Sequence, residues 1–95
     1  MLEGKDTPTP SATIEGIIEG RMVHYVLSNG EHRPGIIVKV WSKSSGCSNL
    51  QVFVDNTNDA PAFIPPIAQV TGVYWVTSAN YSEEPTPRTW HFIER

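Results

Sequence analysis

The chain has 95 residues, which suits one domain close to the lower limit at which burial alone offsets the entropy of folding. Apolar residues make up 39%, charged residues 18%, and the formal net charge is −3. This balance fits a folded protein with a neutral polar surface and excludes a broad electrostatic attraction to DNA, RNA or an anionic membrane. A single cysteine, Cys47, excludes an internal disulfide, and no apolar run approaches the ~20 residues that span a bilayer. The expectation is a soluble protein of the reducing cytoplasm.

Residues 1–13 hold two prolines and few apolar side chains, too little to offset ordering, and residues 1–19 are expected to form a flexible N-terminal tail. Residues 20–95 then form a single all-β domain. Ile18-Glu19-Gly20-Arg21 also matches the cutting site of a protease used to remove tags.

The first strand runs from Met22 to Ser28, with Met22, His24 and Val26 on one face and Val23, Tyr25 and Leu27 on the other. Asn29-Gly30 predicts a hairpin of type I′, with positive φ at both residues. The return strand carries the densest β-branched run of the chain, Ile36-Ile37-Val38-Lys39-Val40, and ends at Trp41. Pro34-Gly35 near its start implies an edge or a bulge there.

Asn49 to Asp55 is the third strand, with Leu50, Val52 and Val54 forming an apolar face and Asn49, Gln51 and Phe53 facing the other way, a candidate ligand surface. Asn56 to Pro66 reads as a long loop, Ala68 to Ser78 as a fourth strand, Ala79 to Arg88 as a second loop, and Thr89 to Glu94 as a fifth strand. No helix longer than a turn is expected. Five short strands with two long loops predict a small barrel or sandwich of SH3-like or OB-like kind.

Catalytic signatures are missing: there is no nucleophile elbow, phosphate loop or HExxH. Adjacent Glu83-Glu84 in a proline-flanked loop reads as a solvated pair. The spacings of His24, His32 and His91 match no linear zinc pattern, so neither a metal nor a cofactor is expected.

What remains is polar and aromatic. Arg33, Asn49, Gln51, Asn58 and Asp59 can hydrogen-bond a ligand, Tyr81 and Trp90 can stack on a ring, and Arg88 and His91 can meet an anion. That equipment suits a small anionic nucleotide-like ligand. The competing readings place Trp41, Trp75 and Trp90 in the core, Asn56 and Asn58 as turn caps, and Arg33 in a salt bridge with Glu31 or Asp55. Arg33, beside the rigid Pro34-Gly35 corner, is the residue on which the site reading rests.

Gly20-Arg21-Met22-Val23-His24-Tyr25-Val26, Arg33-Pro34-Gly35-Ile36-Ile37-Val38, Asn49-Leu50-Gln51-Val52-Phe53, Asn58-Asp59, and Tyr81-Ser82-Glu83 followed by Thr89-Trp90-His91 together resemble a group of small tailed-bacteriophage and prophage proteins. In that group a GR-VHYV opening and a TWHWPER-like ending recur, and the likeness spans residues 20–95. This chain departs from the pattern at Phe92-Ile93. The resemblance implies a non-enzymatic accessory protein of the host cytoplasm. By analogy with phage proteins that sequester nucleotide-derived immune signals, it suggests an anti-defence sponge, a homo-oligomer with its pocket at a subunit interface. A protein-binding module, either a virion or assembly component or an inhibitor of a host protein, is the alternative.

Overall fold

The computed structural model describes residues 13–59 and 62–93. Five strands close into a small barrel: β1 (Met22–Val26), β2 (His32–Val40), β3 (Ser48–Phe53), β4 (Val73–Tyr81) and β5 (Thr89–Phe92), with one short helix, α1 (Pro66–Thr71), between β3 and β4. Each strand bonds to its sequence neighbours and β5 returns to β1, so the order is 1-2-3-4-5. This is not the Greek-key order of an OB barrel, which removes that alternative. All pairs are antiparallel except β4 with β5.

The hairpin between β1 and β2 forms where Asn29-Gly30 places it, but with different chemistry. Gly30 has φ of 90°, whereas Ser78 and Arg88 are the only non-glycine residues with positive φ among those described. Gly30 N donates to the Leu27 carbonyl at 2.9 Å and Leu27 N to that of Glu31 at 2.8 Å. The loop is thus a type I turn closed by a left-handed glycine, not type I′. Asn29 contributes through its side chain, whose Oδ1 accepts from Glu31 N at 3.1 Å.

Pro34 meets the edge condition rather than a bulge. It pairs with His24 on β1, while the ladder to β3 begins only at Gly35↔Val52. The irregularity in β2 falls later, between Ile37 and Lys39.

Helix α1 replaces the start of the fourth strand expected from Ala68. Pro65 and Pro66 open it with a preset φ, and Gly72 ends it in the left-handed region at φ 78°, its N–H returning to the Ala68 carbonyl at 2.9 Å. Ala68, wholly buried, anchors the turn. The fourth strand starts later and runs to Tyr81, through residues expected in a loop.

The expected tail boundary also shifts. Ile17 is buried in the core and Ile14 packs against it. Gly20 N bonds to the Ile37 carbonyl at 2.6 Å, and Ile37 N to that of Arg21 at 3.0 Å. Glu19 accepts from Val40 N at 3.0 Å. Residues 13–19 therefore belong to the folded unit, and the rest of the expected tail lies outside the described residues.

The core is Ile17, Val23, Tyr25, Leu27, Ile37, Leu50, Val52, Ile64, Ala68, Val76, Ala79 and Trp90. Only one of the three tryptophans expected inside is there. A barrel this small holds Trp90, whose Nε1 donates to the Gly46 carbonyl at 2.9 Å; Trp41 and Trp75 stay on the outside, 59% and 46% exposed. No helix among the described residues is long and apolar enough to cross a membrane.

Candidate functional site

The residues expected to contact a ligand are distributed over several places on the barrel. Arg33 is engaged by its own chain. Its Nε donates to Asp59 Oδ2 at 2.9 Å, Nη2 reaches Asp59 Oδ1 and Glu31 Oε1, and Nη1 donates to the His32 carbonyl at 2.9 Å. Asp59, with a side chain only 3% exposed, also accepts from Asp55 N at 2.8 Å. The Arg33 corner thus clamps the 55–59 turn onto β2. Hydrogen bonding to Arg33 holds the Asp59 carboxyl below its ordinary value although burial opposes this, and the same bonds raise the Arg33 guanidinium. The salt-bridge reading is the one realised, with Asp59 and Glu31 as the partners instead of Asp55.

Asn58 caps that turn, its Nδ2 donating to Asp55 Oδ2 at 2.7 Å. Asn49 is likewise structural: its Oδ1 accepts from Trp41 Nε1 and from Ser78 N, both at 2.9 Å, and so supports the irregular stretch where β4 passes through the positive φ of Ser78. Gln51 lies on the outer face between Ile36 and Trp75, its Oε1 buried with no hydrogen-bond partner. Tyr81 packs edge-on against Trp90 at 5.0 Å and beside Phe92 at 5.6 Å. Trp90, wholly buried, offers no face to a ligand.

Arg88 is the expected residue that does line a cavity. A cleft of about 650 Å³ runs between the 62–66 segment and β4, with Tyr25, Phe63, Tyr74, Trp75 and Arg88 among its walls. Its volume is within the range of small-molecule sites, roughly 300–1,000 Å³. Tyr25 and Tyr74 meet edge-on, with ring centroids 6.0 Å apart. Burial raises the Tyr25 phenol, the neighbouring Tyr74 adds to this, and the Arg88 charge partly offsets it. Arg88 sits at φ 71° and its N–H donates to the Val26 carbonyl at 2.8 Å, so the backbone of a strained residue is tied to β1 while its side chain stays exposed.

His91 joins a group that linear spacing does not reveal. His24 is paired with His91 across β1 and β5, and His32 lies one diagonal step from His24 on β2. The ring centroids are 5.9 Å apart for His24–His32, 5.8 Å for His24–His91 and 4.7 Å for His32–His91. One ligand atom from each lies within 4.8 Å of the others. The readable signal was strand alternation plus the hairpin, which puts His24 and His32 on one face; the return of β5 to β1 brings the third ring.

The outer face of β2, β3 and β4 is apolar as well. Val38, Phe53 and Trp75 are each more than 40% exposed there. A scan against protein-family models, a search of curated proteins and a search of solved structures found no match to this chain.

Proposed function

We propose that this protein is a non-enzymatic binder of a small anionic molecule carrying an aromatic ring, of nucleotide type, held in the cleft between residues 62–66 and β4. The observation that carries this reading is the placement of one exposed guanidinium, Arg88, in a cavity whose other walls include Tyr25, Phe63, Tyr74 and Trp75. Rings supply stacking surface and arginine supplies a forked donor for phosphate. Binding is favoured over catalysis because Ser28 and Ser78 line the cleft without a histidine, carboxylate or lysine among its described lining residues to activate them. The likeness to phage proteins makes a nucleotide-derived immune signal the first ligand to test and its sequestration in the host cytoplasm the first role.

Calorimetry with cyclic dinucleotides, cyclic trinucleotides and molecules of the cyclic ADP-ribose type tests this directly. Binding is expected for one class, with the ligand recovered unchanged after denaturation, and Arg88→Ala removes it. Silence across the panel at high protein concentration overturns the reading.

The exposed Phe53 and Trp75, on neighbouring positions of the outer sheet face, favour a second reading as a protein-binding or self-associating module. Native mass measured with and without ligand separates the two: assembly that persists when the cleft is empty and is lost in Phe53→Ser supports the second.

A further inference from the structure

We propose that His24, His32 and His91 form a binding site for a divalent transition metal ion on the outer wall of the barrel, with zinc the best match. Three strands each contribute one imidazole: β1, β2 and β5. The residues flanking His24, Val23 and Tyr25, are buried in the core, so strand alternation turns His24 outward, and the register places His91 opposite it and His32 diagonal to it. The three rings meet in T-shaped contacts at interplanar angles of 66°, 87° and 68° instead of stacking, with one ligand atom of each within 4.8 Å of the others.

Zinc–nitrogen bonds of ~2.0–2.1 Å put tetrahedral ligand nitrogens about 3.3 Å apart. The nitrogens here lie within 4.8 Å of one another, so closure takes side-chain rotations of about an ångström and no movement of the strands. Imidazole selects zinc, copper, nickel or cobalt over magnesium or calcium. Three protein nitrogens leave a fourth position for water or an anion, as in open zinc sites.

The position in the fold gives the ion a structural consequence. The β1–β5 ladder that closes the barrel has three residue pairs, and the central one is His24↔His91. An ion held by His24, His32 and His91 cross-links this seam to β2. Binding to the folded form alone raises stability, and at a hundredfold excess over Kd the melting temperature of a domain this size rises on the order of 10 °C.

The test uses untagged protein stripped with chelator and titrated with zinc chloride by calorimetry, then with cobalt(II) by visible absorption. One ion per chain, the intense visible bands of tetrahedral cobalt, and a rise in melting temperature are expected. His24→Gln and His32→Gln, both at half-buried positions, carry the mutational arm; each should still unfold cooperatively without metal and lose more than the roughly 10–100-fold in affinity that a ligand's outer partners are worth. Should either variant fail to fold, the cobalt spectrum of the wild type decides alone, tetrahedral bands supporting the site and octahedral ones overturning it. Zinc uptake that is absent in the wild type, or that survives the double variant, overturns the proposal. Arg88→Ala leaves zinc uptake unchanged, which keeps this site separable from the cleft.

Discussion

Arg33 grips Asp59 with two guanidinium nitrogens, one through Nε and one through Nη2, across a separation of 26 residues. That pair joins the entry of β2 to the turn after β3. It converts the most conspicuous cation of the sequence from a ligand donor into a structural clamp. Removing one partner of a buried pair strands the other, at a cost of ~3–5 kcal/mol when burial is complete. The Arg33 side chain is 19% exposed, so Arg33→Ala is expected to lose about 2–3 kcal/mol and to lower the melting temperature on the order of 10 °C, while binding in the cleft is retained. Urea unfolding and calorimetry measured together check this.

Acid should weaken the same clamp. The folded-state value of Asp59 lies below its ordinary 3.8, chiefly because Arg33 donates to it, so the unfolded chain binds the proton more readily. Stability from this group is complete above that ordinary value and is lost as the pH falls through the folded one. Asp55 shifts in the same direction through Asn58 and the Thr57 amide. The urea midpoint is expected to hold steady down to roughly pH 5 and to fall below about pH 4, with a shallower fall in Arg33→Ala.

Gly46 is irreplaceable for two reasons. Its φ is 79°, and a Cβ there would overlap Tyr81 Cβ and press on Ile14 Cδ1 at 3.3 Å. Its carbonyl also accepts from Trp90 Nε1 at 2.9 Å and from Ser48 Oγ at 3.0 Å. Gly46→Ala should cost more than about 3 kcal/mol, read as loss of cooperative unfolding or of soluble expression.

Arg88 separates charge from backbone. Arg88→Gly removes the guanidinium and relieves the positive φ, whereas Arg88→Ala removes the guanidinium and keeps the strain. Both should lose the binding proposed for the cleft, with the glycine variant more stable than the alanine variant by about 1 kcal/mol in urea titrations.

Gln51 tests the cost of an orphaned acceptor. Its Oε1 is buried with no partner, so Gln51→Met should be neutral or stabilising by up to ~1 kcal/mol. A loss above that would show that the amide is satisfied in solution.

Strand existence was legible because alternation is a local property. The runs Met22–Val26, His32–Val40 and Ser48–Phe53 carry their own period and their own turn signals; their number and spacing left a small barrel or sandwich, and the pairing of β5 with β1 makes it a barrel. Helix α1 is not legible from local sequence because Ala-Gln-Val-Thr serves either state, and the Pro-Pro opening with its Gly72 stop decides only once Ala68 has a core to fill.

The sites divide along the same line. Residue types by themselves told which side chains were able to bind an anion or a ring. They did not tell which were already engaged, because Arg33 and Asp59 meet only when the 55–59 turn folds back on β2. Barrel closure likewise decided that Trp90 fills the interior while Trp41 and Trp75 stay outside, and that His91 on β5 arrives beside His24 and His32. Short-range periodicity determined the strands and their faces; the long-range return of β5 to β1, which no local preference encodes, decided which of those faces meet.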